Sequence, residues 1–339
     1  MGEHDKPFQF YKLLPDGRYE MFVDASLLKS FSLCERYMYL HHIQNRRLRG
    51  EMTVRPFSMA VGSWWSNVME RFYNKLRDGV EIKNGDIQNF ALESWAEEKL
   101  DEVFAADPKR AASFGDLSGA VLMLKEYYDA QYSIDKSIWK VVAVEQGFGL
   151  KREVLVGETK KVIVYWIGKP DLGVIEQGRL MPVDHKTVTR IDGKTIHKYK
   201  PSTQMPGYCF AMEVIAKSLG INTKVNRCVI NICARERPSE NPKKGKPRPR
   251  FIRAYPNFTP EEIAEWRHDV INKCERIAYN LERGEAAWAW SETTCHMMYM
   301  RDCPYLPIDS VTPSARDSII HGMYEIGKPW QPYKVFEEE

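Results

Sequence analysis

Two aspartates and a lysine stand at the ends of consecutive strand-like segments in the middle of the chain. Asp171 follows one such segment, Asp184 ends the next one, and Lys186 lies two residues beyond Asp184. In an extended strand, residues two apart face the same side, so Asp184 and Lys186 can share a site. A turn at Gln177-Gly178 folds the two segments into a hairpin and brings Asp171 beside them.

These residue types suit hydrolysis assisted by a divalent metal ion. Magnesium is typically held by one or two carboxylates together with water and substrate phosphate, so Asp171 and Asp184 are candidate ligands of Mg²⁺ or Mn²⁺. A neighbouring lysine, here Lys186, can assist the attacking water and stabilise charge that develops on a phosphate. A third acid is expected upstream, and Glu145 stands in the strand-like segment 141–147. It is the predicted third metal ligand.

The N-terminal part of the chain shows the sequence patterns of helices. Apolar residues recur at three- and four-residue spacing after an N-cap at Asp24 or Ser26, and again after Gly62, which predicts two amphipathic helices. Two more helical segments are expected over about 86–104 and 117–132. Residues 1–135 are therefore predicted to form a helical region packed on a core.

Strand patterns replace the helical ones after Ser133. Alternating, β-branched segments predict strand structure over 139–150, a strand pair over 154–167 around a turn at 157–160, and strands over 172–176, 180–184, 224–234 and 251–255. A helix over about 202–219 separates the earlier strands from the later ones. Strands before and after a helix imply an α/β fold with a mixed sheet under helical cover, over residues 136–258.

The last quarter of the chain begins with a clear helix start. Thr259 is a suitable N-cap, Pro260 suits the first helical position, and two acids follow at the positive end of the helix. The helix is expected to run to about Gly284. Residues 259–339 are thus a C-terminal helical region with a cysteine-containing tail. No linker pattern divides the chain, so one structural domain is expected.

Charge and cysteine content limit the classes of function. There are 49 basic and 46 acidic residues, and a net charge of +3 does not by itself indicate a nucleic-acid partner. The seven cysteines, without an apolar N-terminal segment, argue against a disulfide framework. The apolar runs are too short to span a membrane. A cytoplasmic protein without a membrane partner is expected.

A local basic segment lies between the last predicted strands. Five positive charges fall within eight residues, which favours salt-sensitive, non-specific contact with DNA phosphates, although a solvated loop is the simpler alternative. The predicted DNA-binding residues are Lys243, Lys244, Lys246, Arg248 and Arg250.

The order of the motifs resembles the PD-(D/E)XK nuclease superfamily. Glu145, the segment Gly168-Lys169-Pro170-Asp171 and the segment Val183-Asp184-His185-Lys186-Thr187 look like its successive motifs. The RecB-like exonuclease branch, which includes AddB and CRISPR-associated exonucleases, is the most similar. That branch has a glutamine and a tyrosine four residues apart on the helix after the lysine strand, as Gln204 and Tyr208 are here. Its opening helix resembles residues 26–36.

The resemblance implies both a fold and an activity. The fold is a restriction-endonuclease-like core, a central mixed β-sheet flanked by helices, with an N-terminal helical elaboration and C-terminal helices. The activity is metal-dependent hydrolysis of DNA phosphodiester bonds, with Gln204 and Tyr208 positioning the DNA backbone. Exonuclease action on single strands or ends is expected, in phage or bacterial recombination, repair or replication, with a helicase or recombinase as a candidate partner.

Two alternatives remain open beside the exonuclease. One is a structure-selective endonuclease, and the other is a non-catalytic DNA-binding or assembly subunit that retains the nuclease fold. Ser66 keeps the second alternative open, because it stands where the branch often has a metal-binding histidine. With serine there, a metal ion would have fewer protein ligands and more water.

The cysteines also depart from the branch's pattern. Some relatives bind a [4Fe–4S] cluster through four cysteines, and Cys34, Cys295 and Cys303 stand at comparable places in this chain. Because four thiolates are normally required and only Cys274 remains as a distant candidate, we expect a remnant with reduced thiols rather than a cluster.

Other residues near the motifs have ordinary structural explanations. His185 lies between Asp184 and Lys186 and faces the other side of the strand, so a packed core histidine is expected. Trp64 and Trp65 could stack on unpaired bases, but consecutive aromatics in a helix favour the core.

Overall fold

The computed structural model describes residues 10–50, 55–156, 160–200, 202–236, 249–293 and 302–327, and these form a mixed α/β structure. The strands are β1 Tyr11–Leu13, β2 Tyr19–Val23, β3 Arg46–Leu48, β4 Trp139–Val144, β5 Phe148–Val156, β6 Lys160–Gly168, β7 Leu172–Glu176, β8 Arg179–Val188, β9 Val229–Ala234, β10 Phe251–Ala254 and β11 Tyr324–Ile326. The helices are α1 Ala25–Leu33, α2 Glu35–Met38, α3 Phe57–Arg77, α4 Asn84–Glu97, α5 Leu100–Ala106, α6 Pro108–Phe114, α7 Leu117–Tyr127, α8 Ser133–Ile138, α9 Gln204–Ser218, α10 Pro260–Arg283, α11 Leu306–Asp309 and α12 Arg316–Met323.

The chain divides into two compact units, each assembled from separate segments. The first unit comprises Met1–Thr53, Gly147–Gly168 and Ala264–Glu339, and the second comprises Val54–Gln146 and Lys169–Ile263. The predicted catalytic residues all belong to the second unit.

The second unit is built on a five-stranded sheet of order β10-β9-β8-β7-β4. The β7–β8 hairpin and the β9–β10 pair are antiparallel, whereas β8 and β9 run parallel. Parallel neighbours require a crossover connection, and α9 lies in the chain between them. The mixed sheet with helical cover that the sequence predicts is therefore present.

Alternation along β8 and β9 sends their side chains into two apolar clusters. The cluster that contains α3, α4 and α7 takes in Met181, Val183, Val229 and Cys233 from the strands. The cluster that contains α9 takes in Val188, Ile230, Ile232 and Ala234. The sheet is thus buried on both faces, as expected for strands with near-continuous apolar sequence.

Glycine at position 173 is required by close packing in this sheet. A Cβ atom there would lie 3.0 Å from Cε of Met212 and 3.3 Å from Cβ of Ala143. The absence of a side chain at Gly173 lets α9 approach β7 closely, next to the strand end that carries Asp171.

The first unit contains a separate four-stranded sheet of order β1-β2-β6-β5. Strand β2 runs parallel to β6, and β5 pairs antiparallel with β6. Trp166 of β6 packs against Trp266 of α10 with ring centroids 5.1 Å apart. A smaller β3–β11 pair lies beside a cluster that includes Cys303 and Tyr305.

Several helix signals in the sequence are confirmed. Asp24 caps α1, accepting a hydrogen bond from the backbone of Leu27 at 2.7 Å. Thr259 and Glu262 form reciprocal hydrogen bonds at the start of α10, which is the capping-box arrangement.

Other boundaries differ from the prediction. The first helix is interrupted at Cys34, whose backbone is extended (φ −166°, ψ 120°). The helix expected over 86–104 is broken at Lys99, which is left-handed (φ 50°). The β-branched segment over 139–150 contributes to two strands, β4 and β5, that belong to different sheets. The sequence does not predict strands β1, β2, β3 and β11, because each is short and the pairing of β2, β3 and β11 involves distant sequence.

None of the described helices is both long enough and apolar enough to cross a membrane.

Candidate active site

The β7–β8 hairpin places Asp171 beside Asp184. Its two turn residues, Gln177 and Gly178, both have positive φ (50° and 77°), as a two-residue hairpin turn requires. The pairing of Leu172 with Val183 puts Asp171 level with Asp184 at the end of the ladder. The predicted hairpin is confirmed, and it brings the two aspartates together.

Asp184 and Lys186 share one side of β8, as their spacing predicts. The Lys186 ammonium lies 2.7 Å from Oδ2 of Asp184. Asp184 is buried, with 2% of its surface exposed, whereas 30% of the Lys186 side chain is exposed. The Asp184 side chain is therefore more deeply buried than that of Lys186.

Gln204 and Tyr208 join this group through a chain of hydrogen bonds. Lys186 donates to Oε1 of Gln204 at 3.2 Å, and Nε2 of Gln204 donates to the Tyr208 hydroxyl at 2.8 Å. The hydroxyl in turn donates to the backbone carbonyl of Lys169 at 3.0 Å. Both residues lie in the first turns of α9 at i, i+4 spacing, so they share a helical face.

Glu145 reaches the site from just beyond the end of β4 rather than from within a strand. Its backbone is left-handed (φ 50°), an uncommon conformation for a residue other than glycine. Its amide donates to the carbonyl of Asp171 at 2.9 Å. Its carboxylate lies 2.5 Å from the Lys169 ammonium. Such backbone strain is found preferentially at functional positions.

The three carboxylates influence one another electrostatically. Burial, followed by the charges of Asp184 and Glu145, raises the pKa of Asp171 well above its ordinary value. Burial also raises the pKa of Asp184 and of Glu145, although Lys186 and Lys169 respectively oppose those shifts. Burial disfavours the charged form of Lys186, but the charges of Asp184 and Asp171 outweigh it and raise the lysine pKa. The site is therefore a coupled cluster of acids and lysines.

The three carboxylates are chemically suitable ligands for a hard divalent cation, although each of them already contacts another group of the protein. Among the described residues, no group of three or more His, Cys, Asp or Glu side chains is arranged as a metal site. Asp184 and Glu145 each contact a lysine, and Asp171 accepts a hydrogen bond from a backbone amide. Oδ2 of Asp184 is buried, and apart from its ion pair with Lys186 it has no hydrogen-bond partner among the described residues. Carboxylate oxygens of Asp171, Asp184 and Glu145 are those that would hold Mg²⁺ or Mn²⁺.

Two residues of this neighbourhood are not identified as site residues by the sequence. The charge of Glu70 raises the pKa of both Glu145 and Lys169, and Glu70 lies one helical turn after Ser66 on α3. The charges of Lys186 and Asp184 act on Tyr199, whose pKa burial raises to about 12. The i, i+4 relation of Glu70 to Ser66 is the signal that could have identified the glutamate.

His185 is a core histidine, as expected. Its ring stacks on Tyr73 at 5.4 Å, and 6% of its surface is exposed. Nδ1 lies 3.0 Å from the side-chain amide nitrogen of Asn231. Burial lowers the His185 pKa to about 3, with Arg253 and Lys186 adding to the shift.

A buried polar network continues from His185 away from the site. Asn231 also donates to the Tyr127 hydroxyl at 2.5 Å. The Tyr127 and Tyr73 hydroxyls are 2.7 Å apart, and Tyr73 donates to Asp135 at 2.5 Å. The Asp135 carboxylate, fully buried, accepts two hydrogen bonds from Arg253 at 2.5 and 2.6 Å. This network supports β8 from the face opposite to Asp184 and Lys186.

Of the predicted DNA-binding residues, only Arg250 lies in the part of the chain that the structure describes. Lys243, Lys244, Lys246 and Arg248 lie outside the described residues. Arg250 is described, and its side chain is 8% exposed and paired with Glu126 at 2.6 Å. The Arg250 guanidinium is therefore paired with the carboxylate of Glu126 on α7.

The two consecutive tryptophans of α3 and three of the cysteines considered above are buried in the protein. Trp64 and Trp65 are buried, which confirms that they belong to the core. The thiol of Cys34 accepts a hydrogen bond from the Tyr37 amide at 3.4 Å and so caps α2. Cys274 and Cys303 are also buried, and Cys295 lies outside the described residues.

Comparisons with known proteins identify no family for this chain. No protein-family model matches the chain, and no curated protein matches it. Among solved structures, a crystal structure of a protein described as SSO0001 shares 13% identity, over 75% of this chain and 86% of that one. Its TM-score is 0.25, which carries no argument about fold or function.

Proposed function

We propose that the protein is a Mg²⁺- or Mn²⁺-dependent deoxyribonuclease with a restriction-endonuclease-like core. The observation that supports this most strongly is the hydrogen-bonded group in which Asp184, Lys186, Gln204 and Tyr208 lie together beside Asp171. The residues come from a hairpin and a helix that are separate in sequence, and each is expected at the site on chemical grounds or from the family resemblance.

The proposed chemistry is in-line hydrolysis of a phosphodiester. A bound divalent cation would supply Lewis-acid activation of water and would neutralise phosphate charge. Asp171, Asp184 and Glu145 would hold it, and Lys186 would orient the water and stabilise the charge that develops on the phosphoryl oxygens. The water oxygen forms the new bond to phosphorus as the bond to the leaving oxygen breaks. Gln204 fixes Lys186, and Tyr208 fixes Gln204 against the backbone of Lys169.

Within this proposal, exonuclease action on single strands or ends follows from the family resemblance. Single-stranded DNA is the substrate to test first, and a helicase or recombinase is the class of protein that would deliver such ends. A specific observation keeps a second candidate: the carboxylates are engaged by lysines, and Ser66 replaces the expected histidine. That observation favours a DNA-binding subunit without catalysis.

The test is cleavage by purified protein with Mg²⁺ or Mn²⁺ on labelled linear single-stranded, linear double-stranded and closed circular DNA. Asp184→Ala and Lys186→Ala should abolish cleavage, whereas Lys136→Ala, a half-exposed lysine paired with Glu81, should not. Cleavage that survives both site substitutions would refute the assignment. Cleavage of the closed circle would identify an endonuclease. Salt-sensitive DNA binding without any metal-dependent cleavage would favour the non-catalytic subunit.

A further inference from the structure

Lys169 is a second lysine of the candidate site, with a different environment from Lys186. Its ammonium lies 2.5 Å from Oε2 of Glu145, and 47% of its side chain is exposed, against 14% for the glutamate. A half-exposed lysine side chain thus pairs with a mostly buried carboxylate. Because Glu145 is one of the three proposed metal ligands, the ion pair with Lys169 occupies an oxygen that a metal ion would also use.

The surroundings of Lys169 are acidic. Glu145, Glu70 and Asp171 all act on its ammonium and raise its pKa, although burial opposes the shift. The lysine is therefore the cation that balances this side of the carboxylate cluster, as Lys186 does beside Asp184.

The backbone of Lys169 is fixed while its side chain retains freedom. Its carbonyl accepts the hydrogen bond from Tyr208, and Pro170 restricts the residue before it to extended conformations. Lysine carries its three donors on a flexible four-carbon stem, so the ammonium can move without disturbing the main chain. Lys186, by contrast, contacts both Asp184 and Gln204 and is less exposed.

We propose that the Lys169 ammonium and a divalent cation compete for the Glu145 carboxylate, and that the displaced ammonium binds a phosphate of the nucleic-acid substrate. This inference rests on the proposed function. A bound cation would repel the adjacent ammonium, and the half-exposed Lys169 side chain could then turn toward a substrate phosphate. A lysine is a suitable partner for a phosphate because it acts as a compact point charge.

The inference predicts two effects of opposite sign from one substitution. Lys169→Met keeps most of the apolar stem and removes the charge. Mn²⁺ affinity, measured by titration calorimetry without nucleic acid, should increase about tenfold, because the competing cation is gone. Affinity for a nuclease-resistant phosphorothioate oligonucleotide in saturating Mn²⁺ should decrease. The slope of log affinity against log salt should fall in magnitude by about 0.7, the value for one neutralised phosphate on a single strand.

Two further variants control for general effects. Lys136→Met removes a similarly exposed lysine that pairs with Glu81 at 3.4 Å, and it should change neither affinity. Lys169→Arg keeps the charge and should restore wild-type Mn²⁺ and oligonucleotide binding, which also shows that loss of folding does not cause the effects.

Each result supports or overturns the inference. Unchanged Mn²⁺ affinity in Lys169→Met overturns the competition, and an unchanged salt slope overturns the binding of a phosphate by Lys169. If the wild-type protein cleaves DNA with Mn²⁺ while Lys169→Met binds Mn²⁺ no more tightly, the proposed function stands and this inference fails. If the wild-type protein neither binds Mn²⁺ nor cleaves DNA, both fail.

Discussion

Asp171 and His185 are joined across the β7–β8 hairpin: Oδ2 of the aspartate accepts a hydrogen bond from the backbone amide of the histidine. The amide belongs to the residue between Asp184 and Lys186, so the Asp171 carboxylate is positioned by the same strand that carries both. The spacing of the two aspartates therefore depends on backbone geometry rather than on the side chain of Asp184.

This relationship predicts that Asp171→Asn separates stability from activity. The raised pKa of Asp171 means that its charged form is disfavoured in the folded protein, chiefly by burial and by Asp184. Asparagine keeps the shape and an oxygen acceptor but removes the charge. Without added metal, urea denaturation should show a variant as stable as the wild type or more stable, while cleavage is abolished. A clear decrease in stability would show that the ionised carboxylate stabilises the hairpin.

Tyr208→Phe tests the hydrogen-bond chain between the two lysines. The ring keeps its buried packing, whereas the hydrogen bonds to Gln204 and to the Lys169 carbonyl are removed. A decrease in stability of about 1 kcal/mol is expected from the missing hydrogen bonds. Activity should fall roughly tenfold to a hundredfold, the usual cost of removing a group that orients a site residue.

The control for Tyr208→Phe is Tyr305→Phe, since the buried Tyr305 hydroxyl also donates to a backbone carbonyl, that of Arg46 at 2.6 Å, but belongs to the other compact unit. Equal decreases of activity in the two variants would contradict the orienting role of Tyr208.

The Asp135–Arg253 pair predicts a large stability effect from residues outside the candidate site. Arg253→Met leaves Asp135, fully buried, without its two charged hydrogen bonds. Breaking a buried pair typically costs about 3–5 kcal/mol, which urea denaturation can measure. Adding Asp135→Asn to the same chain should recover part of that stability. A decrease below about 1 kcal/mol in the single variant would mean that Asp135 finds another partner or becomes protonated at little cost.

The basic residues that the sequence groups together are expected to behave differently. Lys243→Ser with Lys244→Ser should weaken DNA binding and reduce its salt dependence, by about 0.7 in slope for each phosphate that is no longer neutralised on a single strand. Arg250→Met should instead reduce stability, because Arg250 pairs with Glu126 in a buried setting. Oligonucleotide binding at several salt concentrations, with denaturation in parallel, separates the two effects. If Arg250→Met lowers the salt slope and leaves stability unchanged, the structural role is wrong.

The parts of the site that the sequence predicts are those governed by local rules. The two-residue turn at Gln177-Gly178 and the alternation between Asp184 and Lys186 depend only on neighbouring residues. The i, i+4 relation of Gln204 and Tyr208 depends only on α9 being a helix.

The parts that the sequence does not predict depend on residues far apart in the chain. The pairing of Lys169 with Glu145 requires β4 to end at Val144 and the next residue to turn left-handed. The parallel pairing of β2 with β6 joins Tyr19 to Val162, and its short strand has no distinctive pattern of its own. Arg250 belongs to a basic run by sequence, whereas in the structure its side chain is mostly buried and paired with Glu126, a distinction that composition does not make.

The coupled carboxylates predict how stability varies with pH. Because the folded-state pKa of Asp171, Asp184 and Glu145 is raised, the folded protein binds protons at pH values where the unfolded chain has released them. The contribution of these groups is therefore most favourable at low pH. It decreases progressively as pH rises from the ordinary carboxyl values through the raised ones.

A divalent cation should reverse that trend, because it binds the deprotonated carboxylates and competes with the protons. The increase in Tm caused by Mn²⁺ should thus grow as pH rises from about 5 to about 8, whereas Asp184→Asn should show a smaller increase at every pH. Thermal denaturation with and without Mn²⁺ across this range measures both. A Mn²⁺ effect that does not depend on pH, or that is equal in Asp184→Asn, would place the metal elsewhere, since binding at these carboxylates must be linked to their release of protons.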